Sequence, residues 1–312
     1  MRVRKTVAIL IAVHNRLSFT SQCITCLRYA SLNAGLRIIV IDDGSTDGTS
    51  EWLTANAPEV IQLKGDGNLW FGGATQMGIA YVKANLSDVD YVMTLNNDAF
   101  VEQGCIDALI AESKEHATVG ALVLNNEDRH IHSFGNIWNW WRGWIDPFGG
   151  HFLSDYSDIE RGISRTVQCL NTSCTLIPMK WIKRIRGIDT RRYPQHKADT
   201  ELLSQVRKAG SPLRVTSRAI ALQDGGWTPL RYSIRNKSLW EFLRDSLTNK
   251  FYPSHLPTSL LSIWETAPNH LLALPVMTRV MLMYFRQLCI CSLMSVIRTI
   301  PGLKKGIRKW LN

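Results

Sequence analysis

The sequence predicts an α/β fold, with one mostly parallel sheet between helices, followed by a C-terminal helical region. Three observations lead to this prediction. Short apolar runs alternate with helix-like stretches over residues 7–125, as in chains that build parallel sheets. The first run, Val7–Val13, is continuously aliphatic, which is typical of a strand covered on both faces. Beyond Gly226 the strand-like runs stop, and stretches rich in Trp, Arg and Leu follow.

The elements follow one another in an order that suits right-handed crossovers between parallel strands. The predicted strands are Val7–Val13, Leu36–Ile41, Val60–Leu63, Asp90–Leu95, Val119–Leu124, Thr166–Pro178 and Leu213–Leu222. The predicted helices are Ser18–Leu32, Ser45–Ala55, Gly72–Ala84, Gln103–His116 and Asp199–Ala209.

The chain is expected to form a domain over residues 1–226 and a helical region over residues 227–312. Within the domain, residues 1–125 carry the regular alternation of strand and helix. Residues 126–226 carry a tryptophan cluster and a second set of strands. The clustered tryptophans are either core residues or an exposed aromatic surface.

The chain has 312 residues and a formal net charge of +10, which predicts an acidic partner. A phosphate-bearing substrate, an anionic membrane and a nucleic acid all qualify, and the charge is concentrated after residue 180. Seven scattered cysteines without framework spacing indicate reduced thiols in a cytosolic compartment. The opening run MRVRKTVAILIAV is short and leads into a polar turn, so it is interpreted as a buried strand and not as a signal peptide.

Polar side chains follow three of the predicted strands. His14 follows the first strand, Asp42 and Asp43 follow the second, and Asn96–Asp98 follow the strand that begins at residue 90. Each group alone is ordinary turn chemistry. In a parallel α/β sheet, however, ligands bind beyond the carboxyl ends of the strands. Together the three groups therefore predict one binding site.

Three stretches in this order, VAILIAVHNR, VIDDGSTDGT and YVMTLNNDA, resemble glycosyltransferase family 2. Members of this family are inverting enzymes with the GT-A fold, a Rossmann-like α/β fold. The later stretch RGIDTRRYPQHKADTELLSQVRKAG resembles the acceptor-side segment of the family, so the resemblance covers residues 5–225. The stretches GNLWFGGA, LNNDA and HKADTEL are most similar to bacterial enzymes that build O-antigen, capsule and other surface polysaccharides, many of them rhamnosyltransferases.

The resemblance implies a UDP- or dTDP-linked sugar donor, dTDP-L-rhamnose among the candidates, and a hydroxyl acceptor on a growing, lipid-linked glycan. It implies that Asp43 contacts the base or ribose and that Ala12 and His14 contact the base. The alternative for the DDGS stretch is a turn that caps the next helix. In GNLWFGGATQMG, Gly72 and Gly73 would let backbone approach the diphosphate or ribose, with Asn68 and Gln76 as hydrogen-bonding groups. The alternative there is a plain tight turn.

A divalent cation, Mn²⁺ or Mg²⁺, is expected as cofactor, because it neutralises the charge that develops on a leaving nucleoside diphosphate. The D-x-D element of the family corresponds here to Asn96-Asn97-Asp98, so Asp98 is expected to be the principal ligand. The amide of Asn96 would accept a hydrogen bond from water or a ribose hydroxyl. Asp224 is the second candidate ligand, near a position where many relatives have histidine, and a turn residue is the alternative.

An inverting reaction needs one general base to take the proton from the acceptor hydroxyl. The resemblance implies that Asp199 is this base, and a helix N-cap is the alternative for the same residue. His196 is a second candidate for the base or an acceptor-binding residue, and Glu201 is nearby. Trp140 and Trp141 are candidates for contact with acceptor sugars.

Residues 260–300 contain long apolar runs, but Pro275 and several arginines interrupt them, so no window reaches the roughly 18 uncharged apolar residues of a spanning helix. Arginines opposite aliphatic residues predict an amphipathic helix at a membrane surface, with Lys304–Lys309 near anionic headgroups. The alternative is a helix packed on the catalytic domain. The protein is therefore expected in the cytoplasm, peripheral at the inner face of the cell membrane.

Two other classes of function compete with sugar transfer. A nucleotidyltransferase would carry a glycine-rich loop with Lys or Arg after the first strand, where this chain has HNRLS. A non-catalytic, membrane-associated nucleotide-binding protein would also suit the charge. Nucleic acid is not an expected partner, because carboxylates at the strand ends would repel phosphate unless a metal intervened.

Overall fold

The structure is a computed structural model that describes residues 4–140, 144–147, 156–159, 162–224 and 238–299. For residues 144, 145, 158 and 294–299 it describes the backbone alone. The chain divides into two compact units. Unit 1 comprises Met1–Asn139 with Ile145–Gly225, and unit 2 comprises Trp140–Trp144 with Gly226–Asn312.

The strands of unit 1 form a large mixed sheet and a separate two-stranded sheet. They are β1 (Thr6–Val13), β2 (Gly35–Asp42), β3 (Ile61–Lys64), β4 (Tyr91–Leu95), β5 (Ala99–Val101), β6 (Thr118–Asn125), β7 (Ile131–Ser133), β8 (Asn136–Asn139), β9 (Trp144–Asp146), β10 (Ser164–Val167), β11 (Cys174–Pro178) and β12 (Leu213–Gln223). The large sheet has the order β10-β12-β6-β11-β4-β1-β2-β3, with β5 beside β12 and β7 beside β6. Strands β8 and β9 form the small sheet.

Parallel pairing dominates the half of the sheet that begins with β1. Strand β1 pairs in parallel with β2 and β4, and β2 pairs in parallel with β3. Strand β11 runs antiparallel between β4 and β6, and β6 pairs in parallel with β12. The carboxyl ends of β1, β2 and β4 therefore lie along one edge of the sheet, which confirms the predicted α/β architecture.

Helices connect these strands. Those of unit 1 are α1 (Leu17–Leu27), α2 (Thr49–Asn56), α3 (Trp70–Asn85), α4 (Cys105–Glu112), α5 (Met179–Ile182) and α6 (Ala198–Lys208). The helix predicted from Ser45 begins four residues later, because the Asp42 carboxylate accepts a hydrogen bond from Ser45 N at 2.9 Å and holds a turn there. The strand predicted over residues 166–178 is two strands, β10 and β11, which pair with different neighbours.

The centre of the sheet is buried on both faces. In β1, Val7, Ile9 and Ile11 have no exposed surface, and Leu10, which points to the opposite face, is 3% exposed. Burial on both faces explains why this strand is a continuous aliphatic run with no polar alternation. Because β1 is packed on both faces, the positions of the residues at its carboxyl end are well defined.

Unit 2 contains the helices α7 (Leu239–Thr248), α8 (Leu256–Thr266) and α9 (His270–Thr299), as the C-terminal prediction requires. Helix α7 begins at a capping box in which Ser238 and Glu241 exchange hydrogen bonds. Its Phe242 packs against Tyr252 and against Tyr284 of α9, with ring centroids 6.4 and 5.4 Å apart. These aromatic contacts join α7 to α9 in a small core of their own.

Helix α9 passes through Pro275 without ending. Its segment His270–Leu293 is the described helix that is long and apolar enough to cross a membrane by length and composition alone, and 11% of its most apolar window is buried. No such segment was predicted from the sequence, because Arg279 and Arg286 interrupt the apolar run. Leu282 and Phe285 are 63% and 64% exposed on this helix.

Candidate active site

A cavity of about 400 Å³ opens at the carboxyl edge of β1, β2 and β4. The three predicted polar strand ends meet there, since His14, Asp43 and Asn96–Asp98 all line it. The other lining residues lie at the ends of β1 and β4, before α1, before and within α3, and in the loop before α6. They are Ala12, Val13, Arg16, Gly67, Trp70, Phe71, Ala74, Leu95 and Gln195. Its position beyond the strand ends is that of a ligand site in an open α/β sheet.

Asp43 organises one end of the cavity through both oxygens of its carboxylate. Oδ1 accepts a hydrogen bond from Gly67 N at 2.8 Å, and Oδ2 accepts one from Trp70 N at 2.9 Å. The Asp43 carbonyl oxygen lies 2.6 Å from Nδ1 of His14, which is an exposed residue. Asp43 thus ties the end of β1 to the glycine-rich segment, while Ala12 and His14 present the surface predicted to contact a base.

The glycine-rich segment does not offer its backbone N–H groups to a ligand. Phe71 N donates to Oε1 of Gln195, Gly72 N donates to the Pro194 carbonyl, and Gly73 N donates to the Leu69 carbonyl. Gly72 must be glycine because an added Cβ would lie 2.3 Å from the Tyr193 carbonyl oxygen. The first turn of α3 is therefore used to dock the segment that precedes α6.

Gly73 and Asn68, which were predicted to bind the donor, do not contribute to the lining of the cavity. Gly73 is buried, and its N–H is occupied within its own helix. Asn68 is exposed, and its side-chain amide donates to the Asp66 carbonyl at 3.4 Å. Neither is among the described residues that line the cavity. The alternative of a tight turn fits this stretch better, because its hydrogen bonds are satisfied within the protein.

The Asn96-Asn97-Asp98 stretch closes the other end of the cavity. The side-chain amides of Asn96 and Asn97 donate to the hydroxyls of Ser173 and Thr20, each at 3.3 Å. These hydrogen bonds fix the orientation of both side-chain amides. Asp98 is the carboxylate of this stretch, and its side chain is 12% exposed.

Asp98 is already paired with a cation. Arg16 Nη1 donates to its Oδ2 at 3.0 Å, and Gln223 Nε2 donates to its Oδ1 at 3.3 Å. Burial raises the pKa of the Asp98 carboxyl, and the Arg16 guanidinium opposes this shift. The same carboxylate acts on His132. Its charge raises the pKa of the imidazole, but burial lowers that pKa by more.

The described residues do not form a complete metal cage. Among them no cluster of three or more His, Cys, Asp or Glu side chains has the geometry to hold a cation. Asp224 donates its backbone N–H to the Asp98 carbonyl at 2.8 Å, so the two candidate ligands are neighbours. One carboxylate oriented into the cavity fits a cation that takes its remaining ligands from a bound diphosphate and water.

The predicted general base lies at the start of α6. The N-cap of this helix is Lys197, with φ of 67°, so Asp199 is inside the first turn and is not the cap. Its Oδ1 accepts a hydrogen bond from Thr200 N at 2.8 Å, and its side chain is half-buried. Neither Asp199 nor His196 is among the described residues that line the cavity, whereas Gln195 of the same loop is.

Glu201 belongs to a structural network and not to an open surface. It is 5% exposed, and its carboxylate accepts hydrogen bonds from Arg186 Nη2 at 3.2 Å and from Asp189 N at 2.9 Å. These bonds hold the loop before α6 against the helix. This burial favours a structural role for Glu201, and its contact with an acceptor stays a prediction.

The tryptophan cluster is only partly described. Trp138 donates its indole N–H to Sγ of Cys169 at 2.5 Å, and burial raises the pKa of that thiol to about 11. Trp140 is 6% exposed, which is the burial of a core residue. Trp141 lies outside the described residues. The stacking of acceptor sugars on Trp140 and Trp141 stays a prediction, and the burial of Trp140 favours the core alternative.

Several lining residues were not predicted. Arg16 and Gln195 are ordinary polar residues in the sequence, and nothing near them indicates their partners 82 and 124 positions away. Trp70 carried a weak signal as a large aromatic within a glycine-rich turn. His132 is not among the described lining residues but lies close to Asp98, and a lone histidine in a short strand has no distinguishing pattern in the sequence.

Known proteins are similar to this chain in sequence and in fold. The sequence model described as glycosyl transferase family 2 matches residues 8–185. The chain is 28% identical over 189 residues to N-acetylglucosaminyl-diphospho-decaprenol L-rhamnosyltransferase of Mycobacterium tuberculosis, in strain CDC 1551/Oshkosh and in strain ATCC 25618/H37Rv. This match covers 55% of the chain and 61% of each relative, so the chain spans about three fifths of the length of these curated relatives.

The fold is similar to that of a solved glycosyltransferase structure. The crystal structure of GalNAc-T7 with UDP, GalNAc and Mn²⁺ has a TM-score of 0.57 and 12% sequence identity to this chain. The similarity covers 86% of this chain and 52% of that one. At this identity it supports the GT-A-like fold alone. Since the family match spans more than half of the 312 residues, the chain belongs to glycosyltransferase family 2.

Proposed function

We propose that this protein transfers a sugar from a nucleotide-sugar to a hydroxyl acceptor, with inversion at the anomeric carbon. The observation that carries the proposal is one cavity lined both by Asp43, after β2, and by Asp98, after β4, in a family 2 fold. The Asp43 end offers polar groups for a nucleoside. The Asp98 end offers a carboxylate where the charge of a diphosphate would require a cation.

The donor is proposed to be dTDP-L-rhamnose and the acceptor a lipid-linked glycan. The support for both comes from the Mycobacterium tuberculosis relatives, which are described as L-rhamnosyltransferases acting on a diphospho-decaprenol-linked sugar. A UDP-linked sugar is the competing donor. Specificity of this kind depends on a few hydrogen bonds in the cavity, such as those of His14 and Asn96.

A divalent cation, Mn²⁺ or Mg²⁺, is proposed to be held by Asp98, with Asp224 as the adjacent candidate, and would neutralise the leaving diphosphate. Arg16 forms an ion pair with the Asp98 carboxylate and adds positive charge at this end of the cavity. The described residues that line the cavity include no lysine and no other arginine. Arg16 is therefore placed to receive a phosphate oxygen of the donor.

The proton of the acceptor hydroxyl is proposed to pass to Asp199. The hydroxyl oxygen forms the new bond to the anomeric carbon while the bond from that carbon to the phosphate oxygen breaks, and the nucleoside diphosphate leaves. Asp199 is half-buried in the first turn of α6, where the positive end of the helix dipole favours a carboxylate. His196 is the alternative base.

The protein is also proposed to act at the inner face of the cell membrane. Helix α9 supports this proposal, because Leu271, Leu282, Phe285 and Leu293 leave at least 60% of their surface exposed. An exposed apolar helix in a basic region suits an anionic lipid surface. The segment is also long enough to span, so the experiment must distinguish binding at the surface from insertion.

A thermal-shift series tests the proposed function directly. The purified protein is heated with UDP, dTDP, GDP, CDP, UTP and dTTP, with and without Mn²⁺. We expect one diphosphate to raise Tm by several degrees in the presence of Mn²⁺, because a ligand at about 100 times its Kd stabilises by about 2.7 kcal/mol. The matching nucleotide-sugar should then be consumed when a lipid-linked acceptor is added.

Two results would contradict the proposal. A response to triphosphates alone, with release of pyrophosphate, would identify a nucleotidyltransferase. Binding of the nucleotide-sugar without transfer to any hydroxyl acceptor would leave a nucleotide-binding protein of the same fold. Asp43→Ala serves as the matched control, since it should remove the response to nucleotide while Mn²⁺ is still present.

A further inference from the structure

Trp70, the first residue of α3, has a backbone conformation that tryptophan rarely adopts. Its φ is 55°, in the left-handed region where the Cβ of an L-residue crowds the next carbonyl. Glycine adopts this conformation without strain, whereas a bulky aromatic residue does so only where its surroundings hold it. Residues strained in this way cluster at ligand sites.

The surroundings of Trp70 hold its backbone on both sides. Its own N–H donates to Asp43 Oδ2 at 2.9 Å, the next N–H donates to Gln195 Oε1 at 2.9 Å, and Gly72 N donates to the Pro194 carbonyl at 2.7 Å. The other Asp43 oxygen accepts from Gly67 at 2.8 Å, just before the same turn. These hydrogen bonds from separate segments fix a conformation that the residue itself disfavours.

The strain does not serve to bury the indole. The side chain remains 45% exposed and lines the cavity beside Asp43. A core tryptophan would gain stability from complete burial, which would offset the cost of its backbone. Here a strained aromatic residue stays partly exposed in the lining of the cavity that also contains Asp43.

We infer that the indole of Trp70 stacks on the base of the donor nucleotide. This inference rests on the proposed function, and it names the group that recognises the planar part of the donor. Every nucleobase has a π face, so an aromatic side chain contributes affinity regardless of which base is bound. His14 and Asp43 then remain to read the polar edge of the base and the ribose.

The test compares three variants, Trp70→Ala, Trp70→Gly and Trp70→Phe, in the full chain. Isothermal titration measures the Kd of UDP and dTDP. We expect Kd to rise roughly 10- to 100-fold in the alanine and glycine variants, which lack the ring, and to stay within about threefold in the phenylalanine variant. Trp240→Ala is the control, because Trp240 is 76% exposed on α7 and should leave Kd unchanged.

Thermal stability separates stacking from a structural role. The glycine variant relieves the backbone strain and should melt about 2–4 °C above the alanine variant, while both bind equally weakly. If affinity follows stability, so that the glycine variant binds like the wild type, the indole is not the recognition group. Unchanged binding in the alanine variant also overturns the inference.

A spectroscopic readout completes the test. Nucleotide binding should change the tryptophan fluorescence of the wild type, and this change should be absent from Trp70→Phe at saturating nucleotide. A full change in that variant would place the base against another tryptophan and overturn the inference. If the wild type binds no nucleoside diphosphate at all, the proposed function fails with it, whereas wild-type binding that Trp70→Ala retains removes only the stacking role.

Discussion

Asp98 is the residue at which the demands of folding and of ligand binding oppose each other. Burial disfavours its charge, and the Arg16 guanidinium at 3.0 Å offsets only part of that penalty, so the pKa of the carboxyl remains raised. The Arg16 side chain is 50% exposed and can stay solvated if it leaves. The Arg16–Asp98 ion pair can therefore separate when a cation binds to Asp98 or a phosphate binds to Arg16.

Replacing Asp98 by asparagine is expected to raise Tm at neutral pH. A carboxyl whose pKa is higher in the folded than in the unfolded state binds its proton more tightly when folded, so wild-type stability falls as pH rises above the usual value of 3.8. The amide that replaces the carboxyl has no proton to lose. The Tm advantage of Asp98→Asn should thus be larger at pH 7 than at pH 4, measured without metal. An advantage that does not change with pH would contradict this account.

Asp199→Asn tests the base without disturbing the donor cavity. We expect kcat to fall by about 10²- to 10⁴-fold, because a neutral amide cannot take the acceptor proton. The Kd of the nucleoside diphosphate should not change, since Asp199 is outside the lining of the cavity. Steady-state kinetics and titration on the same preparation separate the two effects. Transfer at the wild-type rate would move the role to His196.

At the scale of elements, the first turn of α3 is the joint between the two halves of unit 1. Gly72 N bonds the Pro194 carbonyl, and Phe71 N bonds the Gln195 side chain, so the loop before α6 is fastened to the glycine-rich segment. The Gln76 side chain adds a bond of 2.8 Å from Ile188 N one turn later. These bonds set the distance between the donor cavity and Asp199.

Gly72→Ala is expected to weaken this joint. Its Cβ would meet the Tyr193 carbonyl oxygen at 2.3 Å, and since backbone must move to relieve the overlap, we expect a loss of about 1–3 kcal/mol in the free energy of unfolding. Chemical denaturation measures it. Gly35→Ala is the matched control, because its nearest neighbour, Thr6 Oγ1, is 3.8 Å away. Equal effects of the two changes would show that close approach is not the reason for Gly72.

At the scale of the whole molecule, one protein combines an acidic, carboxylate-lined cavity in unit 1 with a basic, apolar C-terminal region in unit 2. The net charge of +10 alone would have suited a nucleic acid. The carboxylates in unit 1 instead suit a phosphate-bearing donor that binds together with a cation, and the basic residues of unit 2 suit an anionic surface.

Membrane binding is expected to depend on the exposed face of α9. The double variant Leu282→Glu, Phe285→Glu should reduce the partition coefficient onto anionic vesicles by at least about tenfold, since burying a Leu or Phe side chain contributes about 1.5–3 kcal/mol. Vesicle sedimentation measures it. Leu32→Glu, 71% exposed in unit 1, is the control and should bind like the wild type. Release of the wild type by high salt would indicate a surface position, whereas retention would favour insertion.

The sequence was sufficient to predict the family and the α/β class with C-terminal helices, and the comparisons and the structure confirm both. The short strands β5, β7, β8 and β9 were not predicted. Hydrophobic periodicity and turn residues indicate the secondary structure of a short segment and which of its faces is buried. This information is contained in the segment itself. The errors arose where local patterns were ambiguous. The stretch 166–178 was predicted as one strand, and the helix after Asp42 was predicted too early, because side-chain bonds to the turn override helix propensity there.

Tertiary structure alone decided which polar groups meet. The contact of Arg16 with Asp98, the docking of Gly72 on Pro194 and the burial of Glu201 join segments that no local pattern relates. It also separated Asn68 and Gly73 from the cavity although they lie beside lining residues in sequence. The sequence by itself determined that polar groups would gather at one edge of a parallel sheet, because strand ends share that edge. Their pairing depends on distances across the sheet, which only the folded chain sets.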